Sequence, residues 1–197
     1  MTFAPRSPLY GLILAGGKSQ RMGEDKGLIQ YGGKCQIDRC LDLLNAFSSN
    51  NALSVRYDQY PEDMFPCLPR IYDKDSFGPL SGILSAFEKI KDVAWLVLAC
   101  DLPGLDRRTV QKLCEERDSD FLATVFCRDG DFLEPLCAIY EPKIREVLMS
   151  QVAIGVRCPR KILQKIAVKK IVLINSNPLV NINTQEERNF YATEYNG

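Results

Sequence analysis

Apolar residues fall in two rhythms along the chain. Short apolar runs, broken only by Thr124, occur at Leu9 to Ala15, Val93 to Cys100, Phe121 to Cys127 and Leu136 to Tyr140. Such runs are the pattern of strands buried on both faces. Weaker runs at Ala52 to Val55, Arg70 to Asp73 and Ala167 to Ile174 predict three more strands. Between the runs the apolar spacing turns helical. Ile37, Leu41, Leu44 and Phe47 predict an amphipathic helix over Lys34 to Phe47. Leu80, Ile83, Leu84, Phe87 and Ile90 predict another. Pro79 opens it, at the one helical position where a missing N–H costs nothing. Asp106 predicts an N-cap for a helix to about Glu116. Pro142 opens a helix to about Gln151, and Pro159 to Lys165 predicts a short one. Thr184 with Glu187 predicts a capping box for a last helix. Pro61, Pro66 and Pro69 make the stretch before Arg70 irregular.

Strands alternating with helices predict an α/β fold, a mostly parallel sheet with helices on both faces. No repeat, low-complexity segment or linker divides residues 1–197, so a single domain is expected. In sheets of this kind ligands sit beyond the carboxyl ends of the strands. The loop from Leu14 to Lys26, Asp73 and Asp101 all fall at predicted carboxyl ends. Three unusual spots on one edge predict one site.

Composition narrows the chemistry. Lys+Arg 25 balances Asp+Glu 25, so no global field points to nucleic acid or a membrane surface as partner. There is no histidine, which removes imidazole as base, nucleophile or ligand. The eight cysteines form no C-x-x-C pair, and are expected as reduced, mostly small core residues. Met1 to Tyr10 lacks an apolar signal core, and Val93 to Cys100 is too short to span a bilayer. A cytoplasmic protein is expected.

The stretch Leu14-Ala15-Gly16-Gly17-Lys18-Ser19-Gln20-Arg21-Met22-Gly23-Glu24-Asp25-Lys26 holds the densest signal. Its glycines let backbone N–H groups approach an anion, and Arg21 and Lys26 add fixed positive charge. It is not a P-loop. Counting from Gly11 puts Gly17 where Lys is required, and counting back from Gly17-Lys18-Ser19 puts Leu12 where Gly is required. Gly-x-Gly-x-x-Gly is absent as well. Asp101 ends a hydrophobic strand, where a carboxylate needs a positive partner. Either it caps the next helix or pairs in the loop, or it is a ligand for Mg²⁺, which takes one or two carboxylates beside substrate phosphates. Asp73 is either a helix-capping loop acid or an acceptor for hydroxyl and N–H donors.

Leu-Ala-Gly-Gly-x-Ser-x-Arg-Met-Gly-x-Asp-Lys resembles the signature of the molybdenum cofactor guanylyltransferases, within the Rossmann-like nucleotidyltransferases. Cys100-Asp101-Leu102-Pro103 resembles that family's Cys-Asp-x-Pro. Asp73 with Gly78-Pro79-Leu80-Ser81-Gly82 resembles its Asp followed by Gly-Pro-Leu-x-Gly. Glu134-Pro135-Leu136, Arg157 with Arg160-Lys161, and Asn181-Ile182-Asn183-Thr184 resemble its later segments. A solvated face explains the basic patch equally well. Lys34-Cys35-Gln36 departs from the family's usual Gly-Lys-Pro-Leu.

The resemblance implies a single-domain Rossmann-like nucleotidyltransferase fold. The implied reaction is transfer of GMP from GTP to the terminal phosphate of molybdopterin carrying molybdenum, with release of pyrophosphate. Arg21, Lys26 and Asp101 are its implied catalytic residues. Leu14, Ala15, Gly16, Gly17, Lys26, Ser54, Asp73, Gly78 and Asp101 are implied in nucleotide binding. Asp101 is the implied Mg²⁺ ligand, and Asn181 and Asn183 the implied acceptor contacts. GTP, molybdopterin, other proteins of molybdenum cofactor biosynthesis and acceptor molybdoenzymes are the implied partners. Two rival readings stand beside it. One is a nucleotidyltransferase of the same fold with another base or acceptor, such as a molybdenum cofactor cytidylyltransferase. The other is a nucleotide-binding regulator without turnover.

Overall fold

The computed structural model describes residues 6–16, 25–74, 78–128, 131–173 and 177–181. Gly17, Lys18, Arg21, Asn183 and the Thr184–Glu187 capping box lie outside the described residues. The apolar runs all become strands. In chain order the elements are β1 (Leu9–Leu14), a small hairpin β2 (Gln30–Tyr31) and β3 (Lys34–Cys35), α1 (Gln36–Asn45), β4 (Asn51–Val55) and β5 (Arg70–Tyr72). There follow α2 (Pro79–Lys89), β6 (Ala94–Ala99), α3 (Arg107–Glu115), β7 (Ala123–Arg128) and β8 (Phe132–Tyr140). Then come α4 (Ile144–Ala153), α5 (Pro159–Leu163), β9 (Val168–Val172) and a 3₁₀ turn, Asn177–Leu179.

Seven strands form one sheet in the order β5-β4-β1-β6-β8-β7-β9. Every neighbour is parallel except β8, which runs against both β6 and β7. The sheet is therefore mostly parallel, as the sequence predicts. Leu14 is level with Ser54 on one side and with Ala99 on the other, and Val55 is level with Tyr72. This register brings the exits of β1, β4, β5 and β6 to one edge.

Both faces are covered, and the alternation along each strand decides which helix covers what. Leu12, Leu14, Trp95 and Val97 face a core with Leu80, Ile83 and Phe87 of α2 and Ile144 and Leu148 of α4. Ile13, Leu96 and Leu98 face the other, with Ile37 and Leu44 of α1 and Val110 and Leu113 of α3. Asp106 caps α3 as predicted, its Oδ1 accepting from the Thr109 amide at 2.7 Å. None of the eight cysteines forms a disulfide; Cys40, Cys100, Cys127 and Cys137 are buried, while Cys67 and Cys158 are exposed. Among the described residues no helix is long and apolar enough to cross a membrane.

The starts of α1, α4 and β8 differ from the sequence reading. α1 starts two residues late, because Lys34 and Cys35 pair with Tyr31 and Gln30 across a turn. Gly32 and Gly33 make that turn at φ +59° and +81°, conformations that suit glycine. Pro142 stands in the turn before α4, whose first residue is Ile144. β8 starts at Phe132 instead of Leu136. Its pairing with β7 jumps from Val125–Ala138 to Phe126–Glu134. Pro135 sits in that bulge, where a residue without an N–H breaks no ladder bond.

Arg117, beyond α3, meets Glu141, beyond β8, through Nε–Oε1 at 2.6 Å and Nη2–Oε2 at 2.9 Å. Arg117 Nη2 also donates to the Ser7 carbonyl at 2.8 Å. Both side chains are buried, at 7% and 2% exposure, so each charge depends on the other. Glu141→Ala leaves the guanidinium buried and alone, and is expected to lower stability by about 3–5 kcal/mol. Urea unfolding of the variant and the wild type at neutral pH measures it.

Candidate functional site

The carboxyl edge of the sheet opens into a cleft of about 200 Å³. Leu14, Ala15, Gly16, Lys26, Gly78 and Asp101 line it. Residues far apart in sequence thus meet where the open-sheet rule places a ligand.

One half of the cleft is built on the exits of β1, β4 and β5. The amides of Ala15 and Gly16 both donate to the Ser54 carbonyl, at 3.0 Å each. Ser54 Oγ donates to Asp73 Oδ1 at 2.7 Å. A Cβ on Gly16 would stand 2.4 Å from Asp73 Oδ2, and one on Gly82 would stand 2.2 Å from Ser54 Oγ. Both glycines are therefore required by space: any side chain there displaces the serine–carboxylate pair. Gly78 takes φ +71° to turn the chain into α2. Burial raises the Asp73 pKa, while the Ser54 hydrogen bond and the Arg56 charge pull it back. Ser54, faint in sequence, orients the acid that the sequence singles out.

Asp101 follows β6 at the other half. Burial pushes its carboxyl above the usual range, opposed by the charge of Lys26 and by Asn181. Asn181 Nδ2 donates to Asp101 Oδ2 at 2.7 Å. Asp101 Oδ1 and Asn181 Oδ1 are both buried without a hydrogen-bond partner. Two orphaned oxygens, one anionic and one neutral, on adjoining side chains are a donor set that suits a hard cation. Asn181, which the family resemblance assigns to the acceptor, is thus first of all a neighbour of Asp101. The turn after Asp101 is tethered from α1: Gln36 Nε2 donates to the Leu102 carbonyl at 3.2 Å, and Arg39 Nη2 to the Pro103 carbonyl at 3.0 Å. Gln36 belongs to the tripeptide that departs from the family pattern.

Lys26 is positioned by residues that sequence reasoning does not find. Asp25 Oδ1 accepts from Tyr60 Oη at 2.6 Å and from the Gly27 amide at 2.9 Å. Asp25 Oδ2 accepts from Gln59 Nε2 at 2.8 Å, and the same amide donates to the Ala15 carbonyl at 2.9 Å. The two ends of the glycine-bearing loop are thereby tied together. Tyr60 is held in turn by Arg70, whose Nη1 donates to the Tyr60 carbonyl at 2.7 Å and whose Nη2 donates to the carbonyls of Pro61 and Met64. Asp25 stands in the motif; Gln59 and Tyr60 lie in the proline-rich stretch, where no periodicity reveals a role. Arg21, Gly17 and Asn183 lie outside the described residues.

The sequence profile of the MobA-like NTP transferase domain family matches residues 11–170. The molybdenum cofactor biosynthesis bifunctional protein of Synechocystis sp. is 39% identical over 184 residues, 92% of this chain and 53% of that protein. The chain thus spans about half the length of that relative. The molybdenum cofactor guanylyltransferase of Pseudomonas fluorescens is 30% identical and is matched over 91% of each chain. Among solved structures, molybdopterin-guanine dinucleotide biosynthesis protein A from Archaeoglobus fulgidus superposes with a TM-score of 0.74. It is 21% identical, and the match covers 92% of this chain and 95% of that one.

A carboxyl whose pKa is raised on folding favours the protonated native state. Its contribution is present below the unfolded pKa and is lost as pH rises through the folded one. At neutral pH the ionised Asp101 therefore destabilises the metal-free protein. Asp101→Asn is expected to raise Tm at neutral pH in metal-free buffer. The gain shrinks as pH falls through the raised native pKa toward the ordinary carboxylate range, since the wild-type carboxyl then becomes neutral as well. Thermal melts of both proteins across that range check the sign.

Proposed function

The chain belongs to the MobA-like NTP transferase family, and on that premise we propose that it transfers GMP from GTP to the terminal phosphate of molybdopterin carrying molybdenum, releasing pyrophosphate. The observation that supports it most is the meeting of Lys26 and Asp101 at one cleft, with one orphaned oxygen on the acid and another on the adjoining Asn181. A cation and a cation-seeking acid at the head of a glycine-bearing loop fit a triphosphate better than any neutral ligand.

The attacking group is a phosphate oxygen, already an anion. It forms a bond to the α-phosphorus of GTP while the bond from that phosphorus to the α,β-bridging oxygen breaks. The electron pair leaves on pyrophosphate. No side chain has to take a proton, which agrees with a chain that contains no histidine. What the protein supplies is position and charge. Lys26, with Arg21 of the same loop, neutralises the triphosphate. Leu14, Ala15, Gly16 and Gly17 bring backbone close to it. Asp73, oriented by Ser54, accepts from ribose hydroxyls or from the N–H edge of guanine. Asp101, with Asn181 beside it, would hold Mg²⁺ through the two unpartnered oxygens. Bound there, Mg²⁺ would neutralise charge on the phosphates. Asn183 is the further acceptor contact of this reading.

The base should be selected by Asp73. GTP is expected to bind more tightly than ATP or CTP by about 1–3 kcal/mol, the worth of a hydrogen bond to a charged acceptor. Calorimetry with the three nucleotides tests it, and equal affinities would leave the fold but remove the guanylyl assignment.

Lys26→Ala is expected to slow pyrophosphate release by at least about tenfold, or about 1.4 kcal/mol of transition-state stabilisation. Lys26→Arg should restore only part, because a planar fork does not replace a compact ammonium. Steady-state rates at saturating GTP, with the molybdenum-loaded acceptor, decide it. A Lys26→Ala enzyme as fast as wild type would place the phosphates elsewhere.

A further inference from the structure

The carboxyl edge continues past Asp101. Asp73, Ser54 and Gly16 lie on one side of it, on the exits of β5, β4 and β1. On the other side lie the start of β8 and the end of β7. Here Arg128 closes β7, Phe132 opens β8 and Arg160 lies in α5. Both guanidinium groups lie over the Phe132 ring, with Cζ 4.6 Å from its centroid for Arg128 and 3.6 Å for Arg160.

The two arginines are fixed. Arg160 Nε donates to the Leu133 carbonyl at 2.9 Å. Arg128 Nη2 meets Glu134 Oε2 at 3.4 Å, and Arg128 Nε is buried with no hydrogen-bond partner. Glu134, at 3% exposure, links this cluster to the cleft. Burial and the Asp101 charge push its carboxyl pKa up, while the charges of Arg128 and Arg160 pull it back. Its Oε1 accepts from the amide of Leu136, which itself lines the cleft. Asp131, the neighbouring acid in sequence, pairs with Lys170 at 2.7 Å. Two guanidiniums against one carboxylate leave one excess positive charge.

We propose that Arg128 and Arg160, stacked on Phe132, form the subsite for the acceptor's phosphomonoester, on the far side of Asp101 from the nucleotide. The proposal rests on the GMP-transfer reading above. In-line attack requires the acceptor phosphate to approach the α-phosphorus opposite the leaving pyrophosphate. Two phosphates repel one another, so the incoming one needs cations of its own. Lys26 serves the triphosphate half of the cleft. The guanidinium pair offers the other half planar forks whose geometry matches phosphate oxygens. Stacking on the ring fixes their planes before binding, which lowers the ordering cost of capture.

The test uses Arg128→Gln, Arg160→Gln and the double variant. Glutamine keeps a hydrogen-bonding amide for the Leu133 carbonyl and removes the charge. The double variant is expected to raise the acceptor KM by at least about tenfold. Its kcat at saturating acceptor should stay within about threefold and its GTP affinity within about twofold, which also shows that it folds. Arg160→Lys should recover part of the loss. A second measurement needs no turnover. The wild type should bind 6-hydroxymethylpterin monophosphate at least about tenfold more tightly than 6-hydroxymethylpterin, and the double variant should lose that preference. An unchanged acceptor KM, or a phosphate preference kept by the double variant, overturns the subsite. An arginine-dependent phosphate preference in a protein that transfers no GMP upholds the subsite and overturns the transfer reading.

Discussion

A carboxylate at the end of a fully buried strand sets the terms for this edge of the protein. Asp101 follows β6, whose six residues are all buried. Leaving it charged there is unfavourable unless its neighbours answer it. They do so from three directions. Lys26 brings charge, Asn181 brings a donor, and α1 holds the backbone of the turn through Gln36 and Arg39. Lys26 can answer only because Asp25 is fixed by Tyr60 and Gln59, and Tyr60 only because Arg70 grips its carbonyl. The chain of dependence runs from β5 through the proline-rich stretch to the glycine-bearing loop. A segment with no regular structure thus becomes part of the site's frame.

The half of the cleft around Asp73 obeys a different constraint, that of space. Gly16 and Gly82 close on Asp73 and Ser54 from opposite elements, and neither leaves room for a methyl group. The hydroxyl–carboxylate pair between them is held by contact as much as by its hydrogen bond. That rigidity suits the base-selecting role proposed for Asp73, because a displaced acceptor discriminates poorly.

Much of this was legible in the sequence. Unbroken apolar runs mark buried strands, and β1 and β6 are read almost to the residue. The carboxyl-edge rule brings Gly16, Asp73 and Asp101 together with no structure at hand. What the sequence hid depends on long-range contacts. Lys34 and Cys35 fit the helical spacing of Ile37 and Leu44, and only the glycine turn before them diverts them into a hairpin. Phe132 to Pro135 did not read as strand because Pro135 breaks the pattern, and only a bulge admits it. Gln59 and Tyr60 carry no local signal, since their partner Asp25 is more than thirty residues away. Asn181 matched a motif, but its bond to Asp101 spans eighty residues and no spacing rule reaches that far.

The reversed direction of β8 has a consequence for how such a protein can change over generations. At the parallel strands the edge presents exit loops, whose length and composition can drift while the ladder behind them stays in place. At β8 the same edge presents the opening residues of a strand, Phe132 to Glu134, already paired with β7. An inserted or deleted residue there shifts the register and sends every following side chain to the wrong face. The side of β1, β4 and β5 can therefore be remodelled by lengthening and trimming loops. The opening residues of β8 can be altered only one side chain at a time, at constant length.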